Sequence, residues 1–135
     1  MAVLQFSTAV RNARLDAVEA AIGTAPKLRL LTGTMPADCS AADTGTLIHT
    51  LTLPSDWMAA ASGGQKTMAG TWSATSSGAG TVGYYRIYNS ANTVCHEQGN
   101  ITVTGGGGAM TIDDLAITAG QTITVTLKTL IDGNA

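Results

Sequence analysis

Catalysis needs a nucleophile, an acid or base, or a metal, and the residues able to supply one are sparse in this chain: His49, His96, Cys39, Cys95, Glu19, Glu97 and seven aspartates. A cysteine beside a histidine would give thiolate chemistry, but no local signature and no third residue to orient a base accompanies either cysteine. His96 follows Cys95 directly, and adjacent residues of a strand point to opposite faces. Together with Cys39 and His49 they also lack the close ligand pairs of a structural zinc site. His49 alternates with Leu47 and Leu51, which predicts a buried, hydrogen-bonded imidazole rather than a base. Asp113-Asp114 has no further oxygen ligands at calcium-loop spacing. Gly105 to Gly108 is not followed by Lys-Ser or Lys-Thr, so it predicts a flexible hairpin connection rather than a phosphate cradle. Asn100-Ile101-Thr102 is a glycosylation sequon by pattern alone, since the opening residues lack the order of a secretory signal. The expectation is a non-enzymatic protein with no cofactor and no metal.

The remaining informative side chains are aromatic. Tyr84 and Tyr88 share one face of a strand with Arg86 between them, while Tyr85 and Ile87 share the other. Trp57 and Trp72 lie elsewhere. An aromatic and arginine face suits a protein contact. It also suits packing within the chain, or a sugar-stacking platform if it is exposed. Trp57, Tyr84, Arg86 and Tyr88 are therefore candidate contact residues.

A helix is predicted from Ser7 or Thr8 to Ile22, because STAVRNARLDAVEAAI is Ala-rich, free of Gly and Pro, capped by a hydroxyl and stopped by Gly23 and Pro26. Leu15, Val18 and Ile22 form its core-facing stripe, with Asn12, Asp16 and Glu19 on one flank. Ala9, Ala13, Ala17 and Ala20 form a second stripe. Its methyl groups would let another chain approach closely, so these four join the candidate contact residues.

After Pro26 the pattern becomes all-β, with strands expected near 27–32, 46–53, 66–73, 82–88, 93–98, 100–104, 109–117 and 121–131. In the last, Ile123, Val125 and Leu127 alternate with threonines. Seven or eight short strands preceded by one helix predict a mainly β antiparallel sandwich or jelly roll. The N-terminal arm and helix occupy 1–26 and the β domain 27–135. The longer connections at 33–45 and 54–65 are the expected contact loops.

The chain has 135 residues, a single-domain size. Only 12% are charged, against roughly 25% in most soluble proteins. A net charge of −2 offers no basic field for nucleic acid or for an anionic bilayer, and no stretch approaches the roughly 20 apolar residues that span a membrane. Cys39 and Cys95 stand 56 positions apart and are expected as free, mostly buried thiols.

The succession RNARLDAVEAAIGT, TLTLPSDWMAAASGG, AGTWSATSSGAGTVGYYRIYNS, the tetraglycine run and TIDDLAITAGQTITVTLKTLIDGNA resembles a group of small uncharacterised structural proteins of tailed bacteriophages, over nearly the whole chain. The resemblance implies a virion component assembled in the host cytoplasm and carries over no catalytic residue. By fold-level analogy the expected role is capsid decoration or cement: an oligomer on the particle, bound to the major capsid protein or to copies of itself. A tail, neck or baseplate protein, and a carbohydrate- or receptor-binding module, are the alternatives.

Overall fold

The computed structural model describes residues 3–133; Met1, Ala2, Asn134 and Ala135 of the segments expected above lie outside them. The helix, α1 (Thr8–Ile22), starts where the sequence caps it. Ser7 is extended, its Oγ accepting from the Val10 N–H at 3.3 Å, and Gly23 at φ +94° donates its N–H to the Glu19 carbonyl and ends the helix.

Ten strands follow among the described residues: β1 (Lys27–Leu31), β2 (Leu47–Thr52), β3 (Gln65–Thr67), β4 (Ser73–Thr75), β5 (Gly80–Thr81), β6 (Tyr84–Tyr88), β7 (Cys95–Val103), β8 (Met110–Ile112), β9 (Ala116–Ile117) and β10 (Thr122–Ile131). Eight belong to one sheet of order β2-β1-β6-β7-β8-β10-β3, with β4 also paired to β10; β5 and β9 form a separate ribbon. Leu28, Leu30, Ile87, Ile101, Ile112, Ile123 and Val125, from strands spread along that order, meet Trp57 and Trp72 in one buried cluster. Among the described residues the sheet thus contributes strand after strand to one apolar cluster, whose burial is the main favourable term in folding.

The sheet is mixed, which corrects the expectation of a purely antiparallel one. β7 runs parallel to β8, Ile101 opposite Met110 and Val103 opposite Ile112. A parallel pair ordinarily requires a crossover of a dozen or more residues. Here the tetraglycine run makes the return in six, 104 to 109. Gly105 and Gly107 take φ +85° and +79°, and a Cβ on Gly106 or Gly108 would stand 2.7 or 2.9 Å from the Thr102 side chain. The Gly108 N–H donates to Thr102 Oγ1 and the Ala109 N–H to Asn100 Oδ1. The glycines form a braced chain reversal, not a flexible hairpin, and the sequon residues Asn100 and Thr102 are its braces. Sequence punctuation misplaced other boundaries too: the two strands expected at 93–98 and 100–104 are the single β7, whereas 66–73 and 109–117 each break into shorter pieces.

The helix docks by its polar flank. Asn12 Oδ1 accepts from the Gly64 N–H at 2.8 Å, Arg11 Nε donates to the Asp132 carbonyl at 2.6 Å, and Asp16 accepts from the Ala61 N–H. Lys66, 2% exposed, lies between Asp16 at 2.6 Å and Glu19 at 2.7 Å. Leu15 and Ile22 are buried as expected, but Val18 is 36% exposed, which corrects its placement on the core. The docked side runs through residues 11, 12, 15, 16, 19 and 22, so the helix is turned toward its acidic flank and Val18 is carried outward.

Candidate functional site

Two places gather the residues that the sequence singles out. The first lies beneath the 33–45 connection, which behaves as a compact surface loop with closely spaced ends. At its base the Thr32 N–H donates to the Thr46 carbonyl and the Thr46 N–H to Thr32 Oγ1. Gly45 closes it at φ +69°, where an added Cβ would stand 2.0 Å from the Thr32 carbonyl oxygen. Gly45→Ala should therefore lower stability by about 1–3 kcal/mol or more through overpacking and left-handed strain. A urea titration with a wild-type midpoint would contradict this account of the loop base.

Under the loop stands Arg86, with no exposed surface. Its Nη1 donates to the Ala41 carbonyl at 2.8 Å and pairs with Asp43 Oδ1 at 3.0 Å, while Nη2 donates to the Asp38 carbonyl at 3.0 Å and to Gln98 Oε1 at 2.8 Å. Tyr88 donates its hydroxyl hydrogen to Asp43 Oδ1 at 2.6 Å. Arg29 stacks its guanidinium 3.8 Å from the Tyr88 ring centroid and bonds Asp43 Oδ2 at 2.5 Å. Tyr84 donates to the Thr44 carbonyl, and Gln98 Nε2 reaches the Pro36 carbonyl at 2.8 Å. The rigid guanidinium fork suits this task because it holds two loop carbonyls and two side-chain oxygens at once.

Burial pushes the Asp43 carboxyl upward, but hydrogen bonds from Tyr88 and Arg29 and the nearby guanidinium charges outweigh it and hold the group below its ordinary value. A carboxylate lowered in the folded state contributes stability that is fully present above its unfolded value, near 3.8, and is lost as pH falls through the lower folded value.

Tyr84, Arg86 and Tyr88 do share a face, as strand alternation requires, but that face is covered. They are 1%, 0% and 7% exposed, so none of the three is an exposed contact residue. Trp57 is equally interior: its Nε1 donates to the Gly23 carbonyl at 2.9 Å and its ring lies 5.9 Å from that of Trp72, which joins the helix end to the core. On the opposite face of β6, Tyr85 donates to Glu97, and Lys128 bonds both at 2.8 and 2.7 Å. This triad is fully paired within the core.

The second place is the outward side of the helix. Ala9, Ala13, Ala17 and Ala20 are all exposed, but Ala20 lies on the docked flank, where it lines a groove with Asp16, Glu19 and Lys66. The apolar surface extends beyond that stripe: Val10 is 43% exposed, and Val3 and Leu4 in the extended arm are 70% and 65% exposed. Phe6 lies against Arg14, whose guanidinium sits 5.2 Å from the ring centroid. A groove of about 250 Å³ between helix and sheet is lined by Arg14, Leu15, Val18, Ile131 and Asp132. The signal for the arm was present in the sequence as Val3, Leu4 and Phe6 before the cap, but no periodicity marks an extended arm as a surface.

A larger groove of about 460 Å³ on the docked flank includes Asp16, Glu19, Asp56 and Lys66. Its one cation is already matched by Asp16 and Glu19. Hydrogen bonds outweigh the burial that acts against its charge and hold Lys66 above its ordinary value. His49 accepts from the Ser77 N–H through Nδ1, and burial lowers its pKa, so the imidazole serves to fasten the 76–80 turn against the edge strand β2. Asp113 accepts from the Thr124 N–H and Asp114 from the Ala116 N–H, as turn braces. Among the described residues no three His, Cys, Asp or Glu side chains gather around a common point. No family model, curated protein or solved structure matches the chain.

Proposed function

We propose that this chain is a non-enzymatic structural protein of a tailed-phage virion, a capsid decoration or cement protein that binds neighbouring major capsid proteins, or copies of itself, through its N-terminal arm and helix. In this reading the mixed sheet with its two-stranded ribbon acts as a sandwich or jelly-roll body and the arm as the grip. The observation that carries it is the outward apolar surface of Val3, Leu4, Val10, Ala9, Ala13 and Ala17, on an element whose other side is fixed to the body.

Charge supports the same reading. Five of the seven cations, Arg14, Arg29, Lys66, Arg86 and Lys128, are committed to ion pairs within the chain. Of the other two, Arg11 is bonded to a backbone carbonyl and Lys27 to Thr52. Little charge then has to be stripped of water when the surface is covered, and desolvation is what makes charged contacts costly.

Binding only the assembled shell stabilises that shell by mass action. Particles lacking the protein should melt at lower temperature and break under milder osmotic shock than complete ones, and gel densitometry should find hundreds of copies per particle. Equal melting and shock resistance would overturn the cement role. A copy number in the tens with ring symmetry would assign the protein to the tail, neck or baseplate instead.

A further inference from the structure

The polar latch under the 33–45 loop brings the two cysteines, remote in sequence, to one spot. Arg86 holds the carbonyls of Asp38 and Ala41, on either side of Cys39, and Gln98 of β7 holds that of Pro36. The loop around Cys39 is thus tied to the strand that begins with Cys95. Cys95 faces the loop because of a bulge. Ile87 pairs with Glu97 but Tyr88 pairs with Cys95, so His96 is the extra residue and alternation slips by one. Without the slip Cys95 would share the face of Glu97, which points to Tyr85 and Lys128 in the core. With it, Cys95 takes the face of Tyr88 and Arg86, beneath the loop. Re-aiming a side chain is a recognised effect of a bulge. Both cysteines are free and half-buried; Cys95 Sγ donates to the Glu97 carbonyl at 3.4 Å, and the Cys39 side chain is close enough to shift its titration.

We propose that Cys39 and Cys95 form a dithiol site which a low-molecular-weight disulfide, such as oxidised glutathione, converts to an intramolecular disulfide, stapling the 33–45 loop to β7. A Cys39 thiolate attacks one sulfur of the oxidant, giving a mixed disulfide and releasing one thiolate. Cys95, losing its proton to solvent, then attacks the Cys39 sulfur and expels the second thiolate. Two protons leave the protein, and two electrons reduce the oxidant to two thiols. Burial, reinforced by the neighbouring Cys39 side chain, pushes the Cys95 thiol up to about 12, which suits it to the second, resolving step. The site is independent of the role in the virion, since it requires only the folded chain and the oxidant.

The test uses the purified, reduced full-length chain, incubated with excess oxidised glutathione, quenched in acid, alkylated and analysed by mass spectrometry. The expected product is a monomer lighter by two hydrogens that yields a linked Cys39–Cys95 peptide. It should carry no lasting glutathione and revert with dithiothreitol. Its melting temperature should rise by several degrees, because the link closes a long loop in the unfolded chain. Cys95→Ser should instead stop at a single glutathione adduct on Cys39, since the resolving thiol is gone. Disulfide-linked dimers, glutathione retained on either cysteine of the wild type, or two thiols still open to alkylation after prolonged incubation would each overturn the proposal.

Discussion

Replacing Arg86 with methionine should cost about 3–5 kcal/mol of folding stability, because it leaves the Ala41 carbonyl and Gln98 Oε1 without their donor and takes from the Asp43 carboxylate one of its two cationic partners, leaving it to Arg29 and Tyr88. The guanidinium is wholly inside the protein and serves Asp43, Gln98 and the carbonyls of Asp38 and Ala41. Methionine fills a similar space but donates nothing. Domains of ordinary stability have about 5–15 kcal/mol to lose, so thermal and urea midpoints should both fall well outside error. Arg86→Lys should fall between the two, since an ammonium keeps the charge yet lacks the planar fork.

Acid titration gives a second readout. Wild-type stability should decline as pH drops below the ordinary carboxylate value near 3.8, where Asp43 begins to take up protons first in the unfolded chain. Asp16 and Asp38 are also held low, Asp16 chiefly by Lys66 and Asp38 by Ser40, so a residual slope should persist in the variant. The Asp43 share of that slope should shrink with Arg86 gone. Hydrogen exchange then separates two meanings of the latch. If Arg86→Met frees only the 33–45 amides while the core strands keep wild-type protection, the arginine fastens a loop and the figure given for global stability is wrong.

The latch also marks the limit of what the sequence could disclose. The shared face of Tyr84, Arg86 and Tyr88 follows from alternation within five residues, and so did the helix ends, because Ser7 and Gly23 act on their immediate neighbours. Whether that face meets solvent depends on a loop that begins about fifty residues earlier and returns over it through Arg86 and Gln98. No local period encodes that cover. The bulge at His96 is equally silent, since it is a mismatch between two strands and not a property of either. The parallel pairing of β7 and β8 was hidden because a tetraglycine run signals freedom, whereas Thr102 and Asn100 use that freedom to brace one particular reversal. The helix orientation misled for a different reason. An apolar stripe is the usual buried side, but Lys66 and the backbone N–H groups of Ala61 and Gly64 offered the acidic flank better partners than the core offered Val18.

That same orientation sets the largest effect expected under the proposed virion role. On that proposal, Ala17→Glu should leave the isolated chain folded and remove it from the particle or oligomer. Ala17 is exposed on the side of α1 facing away from Lys66 and Gly64, so in the free chain the new carboxylate stays in water and should change stability by less than about 0.5 kcal/mol. At a contact, where alanine methyl groups let the partner come close, the same carboxylate must lose its water without gaining a donor. A penalty of about 3 kcal/mol lowers affinity roughly 100-fold, enough to empty sites that are only modestly saturated. Leu15→Ala supplies the opposite pattern. Leu15 is 6% exposed beneath the helix, so truncation should cost about 2–5 kcal/mol of fold stability while leaving the outward surface chemically unchanged. Occupancy on purified particles, read beside the melting curve of each isolated variant, separates the two. Normal occupancy of Ala17→Glu would mean that the alanines serve helix propensity alone. The grip would then have to lie in the arm at Val3 and Leu4, or in the connections at 33–45 and 54–65.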